Sequence, residues 1–234
     1  MYKGYSILGI IPARGGSKGI KRKNIKVFAG KPLIAWTINE AISSGIFDEL
    51  IVSTDDEEIK QIAEKFGSDV PFMRPKELST DRASSRDVIL HAMEHCEKKD
   101  RKYELVVCLQ PTSPLRTKED ILAAIDTMKR RKASAVISVC HAYKNPLWMN
   151  TLPANGRMDS FIRKYITKKN RQKLPLYYQV NGAVYVWKWD YYKKNKSTYS
   201  AKTFAYVMPK KRSIDIDDEF DWIIGEELLK RKSD

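Results

Sequence analysis

The chain has 234 residues, 42% of them hydrophobic, which suits one large domain or one domain with a sizeable insertion. Its 43 Lys and Arg against 29 Asp and Glu give a net charge of +14, which calls for an anionic partner such as nucleic acid, a membrane surface or phosphorylated small molecules. No apolar run reaches the roughly 18–20 residues of a membrane span, the first residues lack signal-peptide regions, and no DNA-recognition motif accompanies the charge; the expectation is a cytoplasmic protein with neither membrane nor nucleic-acid partner.

Apolar strand-like runs alternate with helical patterns. Residues 6–12 form a continuous apolar run, as expected of a buried parallel strand. A helix follows Gly30-Lys31-Pro32, with Ile34, Ile38, Ala41 and Ile42 on one face. A second strand is predicted over 49–53, then a helix with Ile59, Ile62, Ala63 and Phe66 at helical spacing. Residues 70–81 read as irregular and 86–97 as helix. A third strand over 105–109 runs into Gln110-Pro111-Thr112-Ser113-Pro114-Leu115-Arg116. Thr117 and Asp120 then form a box-like helix start. A fourth strand is predicted over 135–140, strands again over 182–187 and 204–208, and a closing helix over 220–230. The stretch from about 141 to 180, with Pro146, Pro153, Asn155-Gly156 and Pro175, reads as an irregular insertion or arm within a single domain, 1–234. This alternation predicts an α/β fold with a mainly parallel central sheet. Ligands in such sheets sit beyond the carboxyl ends of the strands, which puts Arg14, Asp55 and Gln110 on one rim.

Cys96, Cys108 and Cys140 lie in apolar segments with no C-x-x-C pair, so buried reduced thiols are expected. His91 and His95 share a helix face, but with His141 they make no credible metal set; they read as helix-surface residues. The basic clusters at 98–102, 129–132, 163–173, 193–196 and 209–212 read as solvated surface.

Two features carry chemistry. The first strand ends in Ala13-Arg14-Gly15-Gly16-Ser17-Lys18-Gly19-Ile20-Lys21-Arg22-Lys23-Asn24. Its glycines let the backbone approach a ligand and its cations favour a polyphosphate. The spacing matches neither G-x-x-x-x-G-K-[ST] nor G-x-G-x-x-G, so a solvated basic turn is the competing reading. The second feature is Ser213-Ile214-Asp215-Ile216-Asp217-Asp218-Glu219. In an extended segment Asp215 and Asp217 share a face, and their repulsion is relieved by a cation such as Mg²⁺ held with phosphate oxygens. A helix start with Asp217 as N-cap is the alternative, and both can hold.

In these motifs and their order the chain resembles the CMP-sialic acid synthetases (acylneuraminate cytidylyltransferases), including their legionaminic acid branch. The resemblance covers nearly the whole length. It rests on residues 11–19 and 23–24, Gly30-Lys31-Pro32-Leu33-Ile34, Ile51-Val52-Ser53-Thr54-Asp55, Arg74-Pro75 with Glu77-Leu78, residues 110–116, Asn181-Gly182-Ala183 and residues 213–217. It implies a Rossmann-like nucleotidyltransferase fold, a homodimer built through the 141–180 arm, and Mg²⁺ as cofactor. It implies transfer of CMP from CTP to a nine-carbon nonulosonic acid, with release of pyrophosphate. By that resemblance Arg14, Gly15, Ser17 and Lys23 look like triphosphate ligands. Asn24, Arg74, Ala83 and Ser85 look like cytidine contacts. Gln110, Asn181 and Tyr185, with Arg171 from the partner subunit, look like sugar-site residues. Asp215 and Asp217 match the metal carboxylates; Arg14, Lys23 and Asp217 are the expected catalytic residues, with Asp217 or a hydroxide on the metal as base. The chain has Trp148 and Gln179-Val180 where sialic-acid enzymes often carry basic residues. With Tyr178, Trp148 suggests a more apolar pocket suited to a 7-acylamino, 9-deoxy sugar such as legionaminate. The competing expectations are a 3-deoxy-manno-octulosonate or pseudaminate cytidylyltransferase and, outside enzymes, a basic nucleic-acid-binding protein.

Overall fold

In the computed structural model, which describes residues 1–167 and 174–233, the predicted alternation becomes one mixed sheet with helices on both faces. Strands β1 (Ile7–Pro12), β4 (Glu49–Ser53), β5 (Leu105–Cys108), β6 (Ala135–His141), β7 (Tyr178–Lys188) and β8 (Thr203–Val207) are ordered β4-β1-β5-β7-β6-β8. β1 pairs in parallel with β4 and β5, and β6 in parallel with β8, whereas β7 is antiparallel to both neighbours. The mainly parallel sheet is as expected. The reversal of one inner strand adds to it and follows from connection, not from local residue pattern. Two-residue strands β2 (Val27–Phe28) and β3 (Lys31–Pro32) make a separate hairpin just before α1 (Leu33–Ser44).

Buried apolar residues sort onto the two faces. One face holds Ile7, Ile11, Val107 and Val136 under Ile34, Ile38 and Ala41 of α1, Ile59 and Ala63 of α2 (Glu57–Lys65), and Ile121, Ile125 and Met128 of α4 (Lys118–Arg130). The other packs Leu8, Ile10, Ile51 and Val106 against Ile89, Met93 and Cys96 of α3 (Ser85–Glu97), with Trp189 and Tyr192 of α6 (Trp189–Lys194). Ile42, expected inward, is exposed. All three cysteines are buried and free. His91 and His95 are not plain surface residues: both are half-buried and embrace Phe72, with ring centroids 4.7 and 4.8 Å from it.

Between β6 and β7 the described residues include a 3₁₀ turn at Pro146–Trp148 and a four-residue helix α5 (Lys164–Thr167). The last helix, α7 (Glu219–Ser233), carries a third apolar cluster, and that cluster ties distant segments together. Ile20 and Phe28, from the stretch after β1, pack with Leu33, Leu115, Ile214, Ile216, Trp222 and Leu229. Phe28 and Trp222 meet edge to face at 5.1 Å, the arrangement that aligns ring quadrupoles. Gly225 permits this: a Cβ there would stand 2.9 Å from Ile216 Cδ1 and 3.0 Å from Phe28 Cζ.

Candidate active site

A cleft of about 450 Å³ opens beyond the carboxyl ends of β1 and β5. Arg14, Ser17, Lys18, Gly19, Lys23 and Asn24 form one wall, Arg74, Asp81, Ala83 and Ser85 another, and Gln110, Thr112, Asp215 and Asp217 the third. The basic loop and the paired carboxylates thus share one cavity. Gly15 does not line it; its amide donates to Asp55 Oδ1 at 3.0 Å, and a Cβ would stand 2.6 Å from Asp56 Oδ2.

The loop is anchored from beneath. Asn24 is buried and donates Nδ2 to the carbonyl of Arg14 at 3.0 Å, which fixes the turn. Lys23 reaches across to Ile216, donating Nζ to its carbonyl at 2.5 Å, with Asp217 Oδ1 at 3.3 Å. Gly19 lies flat on the same strip: a Cβ would fall 2.2 Å from the Asp217 carbonyl oxygen. We therefore expect Gly19→Ala to push loop and strip apart, costing about 1–3 kcal/mol in a urea melt and raising the KM for nucleotide.

Arg74 is buried beside β4, donating Nε to Ser53 Oγ at 3.0 Å and an Nη to the Ser53 carbonyl. Burial draws its pKa down to about 10, against the pull of Asp55, so it remains a cation at neutral pH. Gln110, Gly182 and Asp215 crowd together. Gly182 has φ +73°, and a Cβ on it would stand 2.5 Å from Gln110 Oε1 and 3.2 Å from Asp215 Oδ2. Gly182 lies in a bulge of β7, where pairing jumps from Ile137↔Tyr185 to Val139↔Val180. Bulges of this kind re-aim backbone beside functional sites.

Asn181 sets that bulge from inside. Its Oδ1 accepts from Ser138 Oγ at 2.6 Å and from the Ala183 amide at 3.3 Å, and its Nδ2 donates to Ser213 Oγ at 2.9 Å. The side chain expected at a sugar is thus turned inward, 2% exposed, and it holds the segment leading to Asp215. Tyr185 is half-buried and does not line the cleft; it stacks on Trp187 at 5.5 Å, with burial raising its phenol to about 12. Trp148 and Tyr178 do not line the cleft. Arg171 lies outside the described residues.

Asp215 and Asp217 fit a divalent cation. Burial pushes the Asp215 carboxyl above its ordinary range; Asp217 and Asp221 add to this while Thr112 and Lys23 oppose it. Its Oδ1 is buried without a hydrogen-bond partner, an expensive state for a carboxylate oxygen unless a cation completes it. Among the described residues no three His, Cys, Asp or Glu side chains form a ready cage, which suits an ion that takes its other ligands from phosphate and water. Asp217 is not the helix cap. Asp218 Oδ1 accepts from the amides of Phe220 and Asp221 at 2.9 Å each, and Asp221 Oδ2 reaches back to the Asp218 amide at 3.3 Å. That leaves the exposed Asp217 carboxylate facing the cleft.

A pair that sequence reasoning missed steadies this strip. Asp120 is wholly buried at the start of α4 and takes a bidentate bond from Arg212, Nε to Oδ2 at 2.9 Å and Nη2 to Oδ1 at 2.8 Å. Tyr206 Oη adds a bond at 2.9 Å and the Thr117 amide another at 3.1 Å, within the predicted capping box. Burial alone would raise the Asp120 carboxyl; Arg212, Thr117 and Tyr206 hold it below its ordinary value instead.

Comparison with known proteins agrees with this geometry. A family model described as cytidylyltransferase matches residues 8–230. An N-acylneuraminate cytidylyltransferase of Escherichia coli O18:K1:H7 is 36% identical over 97% of the chain, which spans only 53% of that relative. A CMP-N,N'-diacetyllegionaminic acid synthase of Legionella pneumophila is 34% identical over 95% of the chain and 96% of the relative. A pseudaminic acid cytidylyltransferase of Campylobacter jejuni is 36% identical over 90% of each. In fold the chain is similar to CMP:2-keto-3-deoxy-manno-octonic acid synthetase complexed with CTP, with a TM-score of 0.70 at 16% identity, covering 97% of this chain and 99% of that one. The alternating elements, the cationic loop and the carboxylate strip around one cleft therefore find their place: the chain belongs to the cytidylyltransferase family.

Proposed function

We propose that this protein transfers CMP from CTP to the anomeric hydroxyl of a nine-carbon nonulosonic acid, releasing pyrophosphate, for cell-surface glycan synthesis in the cytoplasm. The observation that carries the reading is the meeting, in one cleft, of the Arg14–Asn24 loop and the Asp215–Asp217 strip. Arg14, Ser17 and Lys23 take the triphosphate. Asn24, Arg74, Ala83 and Ser85 take the cytidine. Gln110, the Asn181-Gly182 turn and Tyr185 serve the sugar side, and Asn181 acts through the backbone that its buried carboxamide fixes.

Asp215 and Asp217 are the residues that would hold Mg²⁺, which when bound neutralises charge on phosphate oxygens. The anomeric oxygen forms a bond to the α-phosphorus while the α–β bridging bond breaks and its electron pair leaves with pyrophosphate. Asp217, exposed to the cleft, is the candidate acceptor of the hydroxyl proton. Such a displacement needs alignment and charge neutralisation more than covalent help, and Arg14 and Lys23 supply cations on the leaving side.

The surface beside the sugar side supports a second copy of the chain there. A cavity of about 850 Å³ shares Asp215 and Asp217 and is walled by Tyr143, Val180, Phe220 and Ile224. Tyr178, Val207 and Ile223 are also exposed, and apolar exposure of this kind supports a homodimer. Among the described residues no helix is long and apolar enough to cross a membrane.

The relatives named for neuraminate, legionaminate and pseudaminate support the sugar class. The pseudaminate relative, at 36% identity, keeps that acid as a second reading. Pyrophosphate release from CTP and Mg²⁺, measured with a panel of nonulosonic acids and 3-deoxy-manno-octulosonate, tests the proposal. One nonulosonic acid should raise the rate far above the others; equal background rates for all of them would overturn it.

A further inference from the structure

Three charged side chains meet at the mouth of the cleft. Asp81 lies between the 3₁₀ turn at Lys76–Leu78 and α3. Its Oδ1 stands 2.9 Å from Arg14 Nη1, and its Oδ2 stands 2.7 Å from Lys18 Nζ. Hydrogen bonding from Lys18, then Arg14, holds this carboxyl below its ordinary range, so it is ionised at neutral pH. Of the other loop cations, Arg22 pairs with Asp56 and Glu58, Lys23 with Ile216 and Asp217, and Lys21 does not line the cleft. One carboxylate therefore spans the two loop cations that face the cleft without another acidic partner.

The bridge does little for stability. The Asp81 side chain is 45% exposed and that of Lys18 78%, and ion pairs so open to water are worth little. Its position matters more than its strength. The same segment carries Ala83 and Ser85, which also line the cleft.

We propose that Asp81 is a specificity-determining residue: an internal counter-ion seated on Arg14 and Lys18, displaced by a ligand that brings several phosphate charges to that spot. The proposal rests on the reading of Arg14 as a triphosphate ligand. An uncharged nucleoside leaves the bridge closed, and a polyphosphate opens it by offering both cations more negative charge than one carboxylate does. The carboxylate returns to the cations as pyrophosphate departs, which favours product release.

Calorimetry with inorganic tripolyphosphate, inorganic pyrophosphate, cytidine and CTP tests this on four proteins: wild type, Asp81→Asn, Asp81→Glu and Arg14→Ala. Asp81→Asn should tighten tripolyphosphate and pyrophosphate by up to about fivefold, leave cytidine unchanged and slow pyrophosphate release. Asp81→Glu, which keeps the charge, should stay near wild type. If Asp81→Asn weakens tripolyphosphate or leaves it within twofold, the counter-ion role is wrong. Should Arg14→Ala at the same time weaken CTP, the reading of the loop survives and the Asp81 proposal alone falls. If Arg14→Ala leaves CTP affinity intact, the triphosphate reading falls too.

Discussion

Asp215→Asn should lower turnover by about 10³-fold, the scale of several kcal/mol of transition-state charge stabilisation, while raising the melting temperature of the ligand-free protein. The two effects have one origin. A carboxyl whose folded pKa lies above its unfolded value keeps its proton more tightly in the fold. Stability then falls as pH rises from the unfolded value, near 3.9, through the raised folded one. Above that raised value the Asp215 carboxylate, half-buried with Oδ1 unpartnered and Asp217 near it, works against folding. Asparagine removes that charge, with a gain on the order of 1 kcal/mol. Melting curves from pH 3 to 8 check the sign: the gain should be present at neutrality and vanish below about pH 4, where aspartate is protonated in both states. A lower melting temperature at every pH would show that the carboxylate is structural.

Arg212→Gln should be the most damaging change away from the cleft, costing about 3 kcal/mol. Asp120 is wholly buried, and Arg212 is its only cationic hydrogen-bond partner among the described residues. Without Arg212 the carboxylate keeps Tyr206 and Thr117 but loses its countercharge. The pH dependence has the opposite sign from that of Asp215. The folded pKa of Asp120 is depressed, so its stabilisation is present above about pH 4 and lost as pH falls through the folded value. Urea melts of wild type and variant should therefore converge in acid. Replacing both partners, Asp120→Asn with Arg212→Met, should recover part of the loss because no charge is left buried. The variant should also show raised KM and lowered kcat, since Arg212 directly precedes Ser213 and the Asp215–Asp217 strip.

Local signals were legible where they are local. The strand at 49–53, the box at Thr117 and Asp120, and the glycine-bearing basic loop are read from neighbouring residues. The apolar faces of Ile214 and Ile216 against Asp215 and Asp217 follow from the two-residue period of extended chain. What escaped depends on partners far along the chain. Nothing near Asp81 announces Arg14, and nothing near Asp120 announces Arg212. The direction of β7 is a property of connection. The family resemblance puts Asn181 at the sugar, yet its side chain is spent inside the bulge on Ser138 and Ser213. At the start of α7 four acidic residues in five positions offer several possible caps, and only the backbone geometry selects Asp218.

The hydrogen bond from Lys23 to the Ile216 carbonyl joins residues 193 positions apart. During synthesis at about 5–20 residues per second, some 10–40 seconds separate the emergence of its two ends. Asp81, the partner of Arg14 and Lys18, emerges early in that interval, whereas Lys23 waits for the final segment. The partner that Arg14 and Lys18 share is thus synthesised long before the partners of Lys23.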